Sequence, residues 1–154
     1  MRTAIVERAI DPPALLGEVT RPVNGATVLF LGTVRDLNLG TKVTALDYKA
    51  YGPMAERELA DIASEAGDRW NTRDVVVEHR IGALALGDVS VAIAVAHPHR
   101  DEAYAASRYI IEELKKRLPV WKREHYVDGH AEWVANQELS ETVTPSSSRF
   151  SRGS

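Results

Sequence analysis

The order of blocks along the chain predicts an α+β (mixed α/β) domain. Three observations predict it: strand-like apolar runs at residues 26–34 and 89–97, two stretches whose apolar residues recur at helical spacing, and alternation of the two kinds with no internal repeat. Residues 3–8 read as a first strand. Asp11 is placed to cap a short helix running to about Val19, with Pro12 in its first turn, where proline's missing N–H costs nothing. Residues 26–34 (ATVLFLGTV) are apolar and β-branched, the pattern of a buried strand. Residues 35–42 form a polar loop containing Asn38 and Gly40, and residues 43–51 a further strand. Gly52-Pro53 opens a helix on which Ala55, Leu59, Ile62, Ala63, Ala66 and Trp70 share one face. Residues 75–80 and 89–97 read as strands around the segment 82–87. The second main helix follows Pro98-His99-Arg100 and runs to about Leu118, with Ala103, Ala106, Ile110, Leu114 and Arg117 spaced along it. Pro119 ends it. Residues 120–127 and 131–134, joined at Asp128-Gly129, read as a hairpin or paired strands. From Gln137 the apolar pattern fades. A single domain is therefore expected over residues 1–136, with a flexible Ser-rich tail over 137–154.

Composition bounds the function. A length of 154 residues argues for one domain, and 44% apolar with 27% charged residues is the balance of an ordinary globular protein. Nineteen Lys+Arg against 22 Asp+Glu give a formal net charge of -3, which argues against general binding to nucleic acid or acidic membranes. The chain has no cysteine. That excludes disulfides, Cys-based zinc sites, Fe–S clusters and thiol nucleophiles, and it fits a reducing cytoplasm. No apolar signal region follows Met1, and the longest apolar run, 91–96, is too short to span a bilayer. A cytoplasmic protein is expected.

Three segments concentrate chemistry. The first, Gly32-Thr33-Val34-Arg35-Asp36, leaves a buried strand, where scaffolds commonly meet ligands. Arg35 there either pairs with an acid at the surface or forks onto a phosphate or carboxylate. The second is His97-Pro98-His99-Arg100, at a helix start whose free N–H groups attract anions. Arg100 opposes the helix dipole and so invites a bound phosphate, but Asp101 and Glu102 already supply negative charge. A capped loop with exposed histidines is the alternative. A metal held by His97 and His99 with His79, His125 or His130 has no H-E-x-x-H helix or carboxylate set behind it. The third segment, residues 115–123, holds five basic residues and no acid. Either these cations complement a helix C-terminus, or Pro119 turns the chain so that Lys115 and Lys122 face one pocket. A clustered, partly desolvated lysine has a lowered pKa and serves as acid, base or nucleophile. Trp121 beside them is assigned to the core rather than to ring stacking.

Arg100 and Lys115 stand at opposite ends of one predicted helix, about 22 Å apart at 1.5 Å per residue. If both serve one site, the simplest arrangement is a dimer in which each chain supplies one end.

These segments, in this order, resemble the large, catalytic subunit family of molybdopterin synthase. The resemblance rests on Phe30-Leu31-Gly32-Thr33-Val34-Arg35-Asp36, on residues 46–55 (LDYKAYGPMA), on His79-Arg80-Ile81-Gly82, and on residues 97–103 (HPHRDEA). It continues through Leu114-Lys115, residues 119–124 (PVWKRE), Asp128-Gly129 and Trp133-Val134, covering roughly residues 2–136. Each piece alone is weak; the combination is specific.

The resemblance implies an α/β hammerhead-type fold with a mainly antiparallel sheet and two main helices. It implies sulfur transfer to cyclic pyranopterin monophosphate, which opens its cyclic phosphate and becomes the molybdopterin dithiolene of molybdenum cofactor biosynthesis. The sulfur donor in that family is the C-terminal Gly-Gly thiocarboxylate of a small ubiquitin-like subunit, within a heterotetramer built on a dimer of large subunits. Position by position, Lys115 and Lys122 match the family's essential lysines. Thr33, Val34, Arg35, His99, Arg100, Arg123 and Glu124 match substrate-contacting positions. No resident metal or cofactor is expected. A chain without cysteine carries no persulfide, so its sulfur must come from a partner. Two other readings compete: a module that only docks a ubiquitin-like tail, and a metal-dependent phosphate-ester hydrolase built on the histidines.

Overall fold

The computed structural model describes residues 1–38 and 40–135. Its elements are β1 (Arg2–Val6), α1 (Pro12–Val19), β2 (Ala26–Thr33), β3 (Leu37–Asn38), β4 (Thr41–Ala50) and α2 (Gly52–Trp70). They continue with β5 (Val75–Arg80), β6 (Gly82–Ala85), β7 (Val89–His97), α3 (Arg100–Arg117), β8 (Val120–Tyr126) and β9 (Ala131–Ala135). The tail expected over 137–154, and the domain boundary at 136, lie outside the described residues.

The unbroken apolar run 91–96 within β7 follows from burial on both sides. β1, β5, β7 and β2 form one sheet in that order, parallel only between β1 and β5. Side chains alternate across a strand, so odd and even positions meet different partners. Val75, Val77, Val91, Ile93 and Val95 join a core with Ala55, Leu59, Ile62 and Ala63 of α2 and Ala106, Ile110 and Leu114 of α3. Val76, Ala92, Ala94 and Ala96 face the other way and bury Leu15 and Val19 of α1. The small alanines on that face let the short helix α1 sit close.

The second sheet runs β3-β4-β8-β9, with β6 also paired to β4, and every pair is antiparallel. The class expected from sequence is therefore present, among the described residues, as two mainly antiparallel sheets rather than one, with three helices. β3 falls in the segment expected as a polar loop, and β6 in the segment left unassigned between two expected strands. Glycine punctuation hides them: Gly40, Gly82 and Gly87 all have positive φ, at 81°, 94° and 83°.

Contacts at both ends of α3 fix it to the rest of the chain. At its start, the His97 ring lies 2.9 Å from the Trp70 carbonyl through Nε2 and accepts the His99 N–H at Nδ1, also at 2.9 Å. This ties the end of β7 to the end of α2. At its C-terminal end, Arg117 donates to both oxygens of Glu65 at 2.6 and 3.0 Å and to Glu58 at 2.6 Å. Arg117 therefore clamps α3 to α2 instead of extending the apolar stripe.

Candidate active site

A cavity of about 240 Å³ opens where the two sheets and α3 meet, lined by the lip after β2, the inner face of β4 and β8, and the last turn of α3. Each contributor arrives for a local reason. The register of β2 against β7 shifts between Gly32 and Thr33, so the strand kinks as it exits. Gly32 packs closely there: a Cβ would stand 2.6 Å from Val91 Cγ1, so the valine side chain would have to shift. Beyond the kink the Val34 N–H donates to the Asp88 carbonyl at 3.0 Å, and the Val34 carbonyl accepts from Gly87 at 2.8 Å. The turn after β6 thus pins the lip that carries Thr33, Val34 and Arg35, all three of which line the cavity.

Pro119 turns the chain from α3 into β8, and both predicted lysines reach the same cavity. The five basic residues of the segment separate into distinct roles. Lys115 and Lys122 line the cavity, Arg117 bonds to α2, and Lys116 is exposed near Glu113 at 3.7 Å. Arg123 points to the opposite face of β8, its guanidinium 6.0 Å from the Trp133 ring centroid. The structure does not bring Arg123 to the cavity, since alternation along a strand that turns 122 and 124 inward turns 123 outward. Trp121 shares that outer face. It is 37% exposed and packs edge-on against Tyr51 rather than entering the core.

The two lysines have different surroundings. Lys122 is 12% exposed, and its Nζ lies 3.2 Å from Oε1 of the fully buried Glu124. The other Glu124 oxygen accepts from the Tyr126 hydroxyl at 2.5 Å. That bond, with burial and the carboxylate's charge behind it, pushes the Tyr126 phenol up to about 12. Partial burial holds the Lys115 ammonium below the ordinary lysine range, and the charges acting on it, those of Lys122 and Arg35, push the same way. One amine is paired; the other stands among cations.

The cavity floor adds groups that sequence reasoning did not single out as site residues. Tyr48 is opposite Lys122 in the β4–β8 register and makes an edge contact with the His79 ring at 5.2 Å. Burial raises the Tyr48 phenol, as does the Glu124 charge, against a hydrogen bond with Ser90. His79 is held neutral, its pKa lowered to about 4 by burial against the opposing effect of its bond with the Arg80 carbonyl. Period-two spacing was the available signal: 122, 124 and 126 on β8, and 46 and 48 on β4, share the inner face.

His99 and Arg100 are exposed at the start of α3, beside Gly25, Pro98 and Glu102, and do not line this cavity. The histidines weighed as metal ligands have separate partners: His79 with the Arg80 carbonyl, His97 with Trp70, His125 with Asp47 at 2.6 Å and His130 with Asp128.

Comparison with known proteins gives the family. The profile described as MoaE protein matches residues 5–117. The molybdopterin synthase catalytic subunit of Halalkalibacterium halodurans is 46% identical over 136 residues, covering 88% of this chain and 86% of the relative. The crystal structure of molybdopterin synthase from Staphylococcus aureus superposes with a TM-score of 0.79 at 40% identity, covering 84% of this chain and 94% of that one. A complex of subunits 1 and 2 of molybdopterin-converting factor from Helicobacter pylori shares the fold, with a TM-score of 0.68 at 22% identity over 90% of this chain and 92% of that one. The chain belongs to the MoaE protein family, the family of molybdopterin synthase catalytic subunits.

Proposed function

We propose that this chain acts as a sulfurtransferase, moving sulfur from the C-terminal thiocarboxylate of a small ubiquitin-like subunit to cyclic pyranopterin monophosphate and so forming the molybdopterin dithiolene. The observation that carries the reading is the pair of lysines, Lys115 and Lys122, delivered from two elements to one cavity with Arg35 at its lip. Both reactants are anionic, and both call for positive charge inside a chain of net charge -3. Arg35 and Lys122 hold anionic oxygen or sulfur. Lys115, whose ammonium is already destabilised, passes protons as carbon–sulfur bonds form and the cyclic phosphate opens. Each sulfur leaves a carbonyl carbon that ends as carboxylate, with water supplying the oxygen. Thr33 and Val34 shape the lip against substrate.

His99 and Arg100 enter the proposal through a second copy of the chain. They sit a helix length from Lys115, and the cavity is smaller than the roughly 300 Å³ at the low end for small-molecule sites. A dimer of large subunits, each flanked by one small subunit, completes the site. Arg123 is left outside it. The proposed setting is the cytoplasm; no helix among the described residues is long and apolar enough to cross a membrane.

The test is dithiolene formation from the full-length chain, a thiocarboxylated small subunit and cyclic pyranopterin monophosphate, read after oxidation to the fluorescent pterin. Wild-type protein is expected to give product. Lys115→Ala and Lys122→Ala are expected to abolish it while keeping the wild-type circular dichroism spectrum. A stable complex with the small subunit that yields no product from wild-type protein would reject the enzyme reading and leave a docking scaffold.

A further inference from the structure

We infer that Tyr126 and Glu124 form a positioning pair that holds Lys122 as a fixed cation in the cavity, leaving Lys115 as the amine that exchanges protons. The inference rests on the functional reading above and assigns Glu124 a different task from the substrate contact expected by resemblance.

The geometry comes from one strand. Residues 122, 124 and 126 of β8 share its inner face, so the three side chains stand in a row. The Glu124 carboxylate is buried between its neighbours: Oε1 faces Lys122 Nζ at 3.2 Å and Oε2 accepts from the Tyr126 hydroxyl at 2.5 Å. A buried carboxylate beside a site for anions repels the ligand unless its charge is cancelled locally. The Lys122 ammonium cancels it, and the Tyr126 donor keeps the second oxygen from turning toward the cavity. Tyr126 in turn is fixed by stacking on the His130 ring at 4.5 Å.

Groups from every neighbouring element bear on Lys122. Glu124 comes from its own strand, Tyr48 from β4, His79 from β5, Lys115 from α3 and Arg35 from the lip after β2. Of these the carboxylate is the one anion, 3.2 Å from Lys122 Nζ, while Lys115 and Arg35 are cations and His79 is neutral. Removing the Glu124 charge therefore takes away the anion that holds the Lys122 ammonium in place. The raised Tyr126 phenol agrees with a donor bound to an ionised carboxylate.

The test reads the amine directly. Full-length protein labelled with nitrogen-15 at lysine Nζ is titrated by NMR, with the Lys122 signal assigned by its loss in Lys122→Arg. In Glu124→Gln the Lys122 midpoint is expected to fall by about one unit or more. In Tyr126→Phe, a half-exposed and conservative change that keeps the fold, it falls by less, and kcat drops about tenfold while KM for the pterin stays within about twofold. An unchanged Lys122 midpoint in Glu124→Gln overturns the inference. So does a Tyr126→Phe protein with wild-type midpoint and wild-type kcat. The titration needs no substrate: a midpoint that moves as expected in a protein that makes no dithiolene upholds the positioning pair and rejects the sulfurtransferase reading.

Discussion

At the residue scale, the contrast between the two lysines predicts separable losses. Arginine keeps the positive charge at position 115 but holds its proton at every working pH. If Lys115 moves protons, Lys115→Arg lowers turnover by at least about 100-fold while the small subunit still binds. The pH profile gives the sign. A base must be neutral to accept a proton, so wild-type kcat rises with pH and levels off below the ordinary lysine range, because the Lys115 ammonium is destabilised. That rising limb disappears in the arginine variant. Near-wild-type turnover in Lys115→Arg would leave Lys115 a purely electrostatic part. Much of this site was legible as residue types in a short basic segment, but the sorting was not. Arg117 and Lys122 look alike in sequence, and only the partner surfaces separate them: Glu58 and Glu65 on α2 for the first, Glu124 for the second. Trp121 was misread for a related reason. Its bulk suits a core, but strand alternation puts it on the face away from Val120 and Lys122, where it meets Tyr51.

At the scale of elements, β5 carries two buried ionisable groups on opposite faces, and each leaves a mark on stability. Burial pushes Glu78 up, but the hydrogen bonds from Arg8 and Arg2 outweigh it, and the carboxyl is held below its usual range. These bonds fasten β1 and the turn after it to the sheet. His79, on the cavity side, titrates at about 4 in the folded chain against 6.5 when free. Both folded values are depressed, so both contributions are complete above the unfolded value and are lost as pH falls toward the folded one. The His79 part is lost first, between pH 6.5 and about 4, and the Glu78 part below about 4.5. Denaturant unfolding across this range is expected to show stability falling by up to about 1.4 kcal/mol per pH unit from His79 alone. In His79→Gln the slope between pH 6.5 and 4 flattens, whatever the change in stability at neutral pH; an unaltered slope would show that His79 is not the group responsible. The strands themselves were readable wherever apolar residues ran on, as in β2, β5 and β7. β3 and β6 were not, because two to four residues beside positive-φ glycines (Gly40 after β3, Gly82 and Gly87 around β6) carry too little pattern to distinguish a paired strand from a turn.

At the scale of the whole molecule, the length of α3 is the decisive quantity. The helix spans Arg100–Arg117, and its two ends carry the two groups of residues assigned to one substrate. Its start presents His99 and Arg100 to solvent, and its last turn presents Lys115 to the cavity. A rigid helix cannot fold these ends together, so a single chain cannot close one site around both. A symmetric dimer removes the difficulty, because the two-fold operator that brings one helix start to the partner's cavity does the same in return. The arrangement makes a quantitative prediction. Lys115→Ala and Arg100→Ala are each inactive as pure proteins, since every site in either dimer lacks one group. When the two variants are co-expressed and pair at random, half of the dimers are mixed, and each mixed dimer has one site with both groups intact. Activity is then expected to return to about a quarter of wild type. Two lysine-site variants, Lys115→Ala with Lys122→Ala, are expected to recover none of it by pairing if they damage different halves of one chain's own cavity, since every mixed site still lacks one lysine. Recovery by the first mixture and not by the second identifies a site shared across the two-fold axis, whereas failure of both confines Arg100 to some other task on its own chain.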